Sequence, residues 1–206
     1  MADTFGIPEL LDYLAQLGLR VARVDEEEEM VELAFHSTQG QWRMIVGFQQ
    51  HEDARRLYFV VPHIFGITQR KRMECLEALL AVNYRITLGK FGMDLEDGEV
   101  RLEEAVPLAE DSITFEQFQL VFGTLVQTVV MYHSLIPRIV YGNASALEAV
   151  EGCEQEFQQE VANLQAESHE TSPDEAKPVD EPGGELPDLD PNDILAEVTR
   201  MLEEKE

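Results

Sequence analysis

The stretch LLAVNYRITLGKFGMDLEDGEVRL, Leu79 to Leu102, decides the fold. It begins inside a helical pattern in which Met73, Leu76, Leu80 and Tyr84 share one stripe, with Cys75, Leu79 and Val82 beside it. From Phe91 the period drops to two: Phe91, Met93 and Leu95 alternate with polar residues, and Val100 and Leu102 do so again after Asp97-Gly98. That dipeptide tolerates the positive φ of a tight reversal, so the segment predicts a helix feeding an antiparallel hairpin with a two-residue loop.

Upstream, Pro8 suits the first turn of a helix carried by Leu10, Leu11, Leu14 and Leu17 and stopped by Gly18. After the acidic run Asp25 to Glu29, Val31, Leu33 and Phe35 alternate, Ser37 to Gly40 turn, and Trp42, Met44, Val46 and Phe48 alternate again. Leu57 to Val61 predicts a third strand, ended by Pro62. Downstream, Thr114 and Gln117 form a capping box for a long helix reaching about His133, with Phe115, Phe118, Phe122, Leu125, Val129 and Tyr132 on its apolar face and Pro137 as its stop. The expected order is α-β-β-β-α-β-β-α, an antiparallel sheet packed by helices in an α+β domain over residues 1–141.

Beyond it, Ser145 and Glu148 cap an appended helix over 142–166, whose Leu147, Val150, Phe157, Val161 and Leu164 follow a seven-residue repeat interrupted by Glu154. Residues 167–190 hold prolines, Gly-Gly and acids with almost no large apolar side chain, the composition of a disordered linker. In 191–206, Ile194, Leu195, Val198, Met201 and Leu202 recur at helical spacing, which predicts a terminal amphipathic helix.

Charge narrows the role. The chain of 206 residues carries a formal net charge of -26. Residues 1–150 hold 23 acids and 12 bases, net -11, and residues 151–206 hold 18 acids and 3 bases, net -15. A field of that sign repels nucleic acid and anionic lipid, so neither is expected as a partner. Cys75 and Cys153 lie far apart in sequence and form no C-x-x-C, the start lacks a signal-peptide pattern, and Gln119 and Gln127 interrupt the most apolar run. A cytoplasmic protein without membrane insertion is expected.

No catalytic, cofactor or metal motif stands out. Consecutive acids at Asp25 to Glu29 do not converge as alternating calcium ligands do, and read as a solvated loop. His36, His51, His63, His133 and His169 show no ligand spacing, and Gly89-Lys90-Phe91-Gly92 lacks the spacing of a phosphate loop. Arg55, Arg56, Arg70, Lys71 and Arg72 are the basic concentrations of the chain. The last three oppose the dipole at a helix start, and either receive an acidic segment, including the chain's own tail, or pair locally with Glu74 and Glu77. The stripe Ile194, Leu195, Val198, Met201 and Leu202 either docks into a partner or folds back on its own domain.

The run from Leu76 to Tyr141, with Asn83-Tyr84-Arg85, Leu88-Gly89-Lys90-Phe91 and Leu135-Ile136-Pro137, resembles the YbjN family over about residues 5–141. The segment from Met131 to Gly152 looks like the family's cyanobacterial branch. That family is similar in fold to the type III secretion chaperones of the CesT and Tir kind. The resemblance implies a homodimer that holds an extended partner segment across its sheet and helix surface, and it brings no catalytic residues. The expected function is therefore a non-enzymatic, protein-binding chaperone or assembly adaptor. A regulatory module autoinhibited by its own tail is the second reading, and an enzyme of unrecognised type the third.

Overall fold

Period-two alternation gives each strand one apolar edge, and the chain stacks those edges on a common face. The computed structural model describes residues 5–37, 40–51, 54–109 and 112–170. Helix α1 (Ile7–Gln16) leads into strands β1 (Arg23–Asp25), β2 (Met30–Ser37), β3 (Gly40–His51) and β4 (Ala54–Gly66). Helix α2 (Arg72–Arg85), strands β5 (Lys90–Met93) and β6 (Glu99–Pro107), and helices α3 (Phe115–Tyr132), α4 (Leu135–Val140) and α5 (Ala146–Glu170) follow. The strands form one antiparallel sheet of order β1-β2-β3-β4-β6-β5. The α+β architecture expected from the sequence is the one observed.

Leu33 and Phe35, Met44 and Val46, Leu57 and Phe59, and Val100 and Leu102 are buried together on the inner face. Helix α3 lies on that face: Phe118 meets the Phe59 ring at 5.7 Å between centroids, and Phe122 meets Phe35 at 6.4 Å. Its N-terminus is capped as expected, Gln117 N–H donating to Thr114 Oγ1 at 3.3 Å and Thr114 N–H to Gln117 Oε1 at 3.1 Å. The segment Phe115–Val140 is long and apolar enough to cross a membrane by composition alone, yet most of its most apolar stretch is buried inside the domain. It is a core helix. Tyr13 of α1 closes one side, its hydroxyl donating to the Ile113 carbonyl at 3.0 Å and its ring against Phe115 and Phe118.

Four local expectations are corrected. A short strand, β1, precedes the acidic run and pairs Val24 with Val31; one apolar residue is too little for alternation to reveal it. Pro62 does not end its strand, because β4 continues to Gly66 through a register shift between Val61 and Phe65 where no ladder donor is needed. The His63 N–H freed there, at φ +53°, donates to Glu99 Oε1 at 3.1 Å. Pro137 is not what stops the long helix: α3 ends at Tyr132 and Pro137 sits in the first turn of α4, a position that requires no N–H.

The fourth correction concerns the hairpin. Its loop spans Asp94 to Gly98 instead of two residues: Gly98 N–H donates to the Asp94 carbonyl at 2.9 Å and Asp94 N–H to the Glu99 carbonyl at 2.8 Å. Asp94 and Asp97 side chains accept from Glu96 and Glu99 N–H, stabilising a wider turn than the dipeptide implies. Gly98 is still the pivot, at φ +82°, and a Cβ there would lie 2.0 Å from the Ile67 carbonyl oxygen. Gly98→Ala is expected to destabilise the domain by at least about 2 kcal/mol, combining left-handed strain with a backbone clash. A denaturant midpoint equal to that of the parent protein would overturn this account of the turn.

Candidate functional site

With α1 and α3 on the inner face, the outer face of the sheet carries no helix among the described residues. Register places Arg23, Glu32, Ile45, Val60, Glu103 and Lys90 in one row across all six strands. The adjacent row is Asp25, Met30, Gly47, Tyr58 and Ala105. The centre of the face is thus apolar, half-buried at Ile45, Tyr58 and Val60 and exposed at Ala105, while its margins alternate in charge, with Arg43 paired to Glu32 at 3.2 Å and Arg23 to Asp25 at 2.7 Å. A hollow of about 470 Å³ lies over Gln49, Tyr58, Val60, Lys90, Glu103 and Ala105. A second, of about 310 Å³, lies over Glu32, Ala34, Gln41, Arg43, Pro62 and His63.

Gly47 shapes this surface. A Cβ on it would meet the Tyr58 hydroxyl at 2.7 Å and Met30 Cβ at 2.8 Å, so the tyrosine lies over the glycine of the neighbouring strand. Burial, and then Glu28, push the Tyr58 hydroxyl above its ordinary pKa, which keeps it a neutral donor. Sequence reasoning did not single out this face. The signal was present in Leu57-Tyr58-Phe59-Val60-Val61, where apolar residues occupy both parities of a strand and so both faces of the sheet.

The basic residues do not form one surface. Arg55 and Arg56 stand at the start of β4 and Arg70, Lys71 and Arg72 beyond its end, roughly 30 Å away at strand rise. Arg55 is structural: it donates to the Phe5 carbonyl at 2.9 Å, pairs with Glu29 at 2.8 Å and lies 4.3 Å over the Phe48 ring. Lys71, at φ +59°, donates to the Ile139 carbonyl at 2.9 Å and to Asn143, capping the C-terminus of α4. Arg72 donates to the Leu95 carbonyl at 2.7 Å and holds the hairpin loop. Arg56 is half-buried on the outer face, and Arg70 is exposed without an ion pair among the described residues. Ile194, Leu195, Val198, Met201 and Leu202 lie outside the described residues, as does the linker expected over 167–190 except for its first four residues, which continue α5 to Glu170.

Of the two apolar stripes read on α2, the structure buries the smaller one. The helix buries Cys75, Ala78, Leu79 and Val82 and exposes the bulkier stripe, with Met73 at 73%, Leu80 at 71% and Tyr84 at 92% of full exposure. The cause is α5, which packs alongside α2. Asn83, on the flank of α2, uses its amide to accept from Phe91 N–H at 2.8 Å and donate to the Phe91 carbonyl at 2.9 Å, closing part of the β5 edge.

The helix expected as an appendage is integral to the domain. Ala149, Val150, Cys153 and Phe157 of α5 are buried. Glu154, the break in its heptad pattern, accepts from Tyr132 at 3.0 Å and pairs with Arg85 at 2.5 Å. Burial first, and then this carboxylate, push the Tyr132 hydroxyl far up. A cavity of about 370 Å³ between α3 and α5 includes His133, Ser134, Cys153 and Glu156, and burial pushes the Cys153 thiol up, away from a nucleophilic thiolate. No group of three or more His, Cys, Asp or Glu suited to a metal ion is found among the described residues.

Residues 8–136 match the profile of the YbjN family, described as "putative bacterial sensory transduction regulator". The chain belongs to the YbjN family. One solved relative is the crystal structure of YbjN from E. coli, described as "a putative transcription regulator", at 12% identity and a TM-score of 0.40, covering 81% of this chain and 94% of that one. No curated protein matches the chain. Membership supports a regulatory or binding role.

The separate tasks of the basic residues are measurable. Lys71→Met is expected to lower stability by about 1–2 kcal/mol through the lost α4 cap, and Arg70→Ala to leave it within about 0.5 kcal/mol. Equal denaturation midpoints for the two variants would refute this division.

Proposed function

We propose that this YbjN-family protein is a non-enzymatic cytoplasmic regulator that works as a chaperone-like adaptor, holding a segment of a partner protein on the outer face of its sheet. The observation that carries the reading is the helix-free face with an apolar centre at Ile45, Tyr58, Val60 and Ala105 and a charged margin. Such a pattern suits an amphipathic segment, whose apolar side chains fill the centre while its polar groups meet Arg43, Lys90 and Glu103. Recognition by strand addition fits less well. One edge strand, β1, has 3 residues, and the other, β5, has 4 and is partly closed by Asn83. The partner lies on the face, not along the edge.

A photo-crosslinking residue at Ala105, compared with one at Gln158 on the exposed side of α5, tests the reading in cells of the source organism. A recurrent partner is expected from Ala105 alone. Val60→Lys, placed opposite Glu103, is expected to weaken that partner's affinity at least about 10-fold while the unfolding midpoint is retained. Identical adducts from both probe positions, or undiminished affinity of the folded Val60→Lys protein, would exclude the outer face as the binding site.

A further inference from the structure

The outward stripe of α2 is a second apolar surface that no other described residue covers. Met73, Leu80 and Tyr84 stand at i, i+7 and i+11, flanked by half-buried Leu76 on one side and exposed Glu77 on the other, on the side of the helix opposite Cys75, Ala78 and Val82. Its N-terminal end is flanked by the cations of Arg70, Lys71 and Arg72. We infer that this stripe is the docking site for the chain's own terminal segment, Asp193 to Glu204, which lies beyond the described residues.

Three observations select that occupant. The first is where the described chain ends. Lys71 meets Asn143 at one end of α2 and Arg85 meets Glu154 at the other, so α2 and α5 run parallel. Helix α5 continues from Glu154 to Glu170, about 24 Å past the Tyr84 end at helical rise. The residues between Glu170 and Asp193 have a root-mean-square span of about 26 Å as a flexible chain, enough to return the segment to Tyr84. It then runs antiparallel to α2, towards Arg70.

The second is shape. Docked as a helix, Ile194 to Leu202 would span about 12 Å, which fits within the roughly 16 Å from Met73 to Tyr84. The third is charge. An antiparallel approach brings Glu203, Glu204 and Glu206 towards Arg70, the exposed member of the cation cluster at that end of α2; residues 171–206 hold 12 acids and 3 bases, net -9. A parallel approach would carry those acids away from the cluster. The docked tail is a displaceable cover on α2, separate from the outer sheet face, so failure at one surface leaves the other untouched.

Methyl NMR on the full chain tests this. The chain has 7 methionines, and Cys75 and Cys153 are fully buried, so a spin label can be directed to Glu206→Cys. The expected result is loss of most of the Met73 methyl signal while Met44 retains its own, with Met73 recovering in Leu80→Glu and in Val198→Glu. The latter substitution changes none of the described residues. Unbroadened Met73, even broadening of all body methionines, or broadening that persists in both variants would overturn the inference. So would Met73 broadening in a mixture in which label and methyl reporter are on different molecules, which would assign the stripe to a second copy.

Discussion

The structure depends on the contact between α3 and the inner face of the sheet. Phe118 and Phe122 are fully buried against Phe59 and Phe35, and each such ring contributes about 1.5–3 kcal/mol by removal from water. Tyr13 of α1 joins Phe118 at 5.7 Å, so the same aromatic cluster also fixes the first helix. Once α1 and α3 occupy this side, α4 and α5 follow α3 through short connections and stay there too. The outer face is left to meet water with its own side chains. Alternating charges at its margins and Tyr58 laid over Gly47 are how it does so.

A second constraint follows from stacking α5 outside α2. Helices α2 and α5 pack against each other, and α2 buries small side chains, Cys75 and Ala78, among those of its inner side. The Arg85–Glu154 pair sits at the edge of this contact, partly exposed, and the same carboxylate accepts from the buried Tyr132 hydroxyl. In the deep interior, the desolvation of those charges would offset much of the gain. Burying the small face of α2 has a direct cost: Met73, Leu80 and Tyr84 are turned to solvent. The exposed stripe is therefore a consequence of how the core is closed.

Much of the fold was legible because it rests on local periods. The strands β2 and β3 alternate cleanly, the caps at Thr114 and Ser145 form as read, and the order of the main elements follows. What escaped were features set by non-local contact. Two apolar stripes compete on α2, and only the presence of α5 decides which is buried. Pro62 reads as a terminator until the Glu99 carboxylate is available to satisfy the His63 N–H of a bulge. The cations from Arg70 to Arg72 read as one patch, but Lys71 and Arg72 are committed to carbonyls 68 and 23 residues away in sequence. Of the surface, charge composition was readable and side-chain commitment was not.

The energetics of a tethered cover favour reversibility. A linker of this length holds its two ends at an effective concentration of order mM, so half-occupancy requires only a dissociation constant of order mM, about -4 kcal/mol. A short helix ordered on one shallow stripe can reach that value, but little beyond it, because ordering its backbone opposes the burial of its few apolar side chains. A free partner at micromolar concentration must bind α2 about a thousand-fold more tightly to compete equally with the tether. Residues 171–206 carry a net charge of -9, and like charge along a flexible tether lowers the effective concentration such a tether supplies. High sequence charge and a small apolar stripe thus act together, and they describe a cover that a specific partner displaces and a nonspecific apolar surface does not.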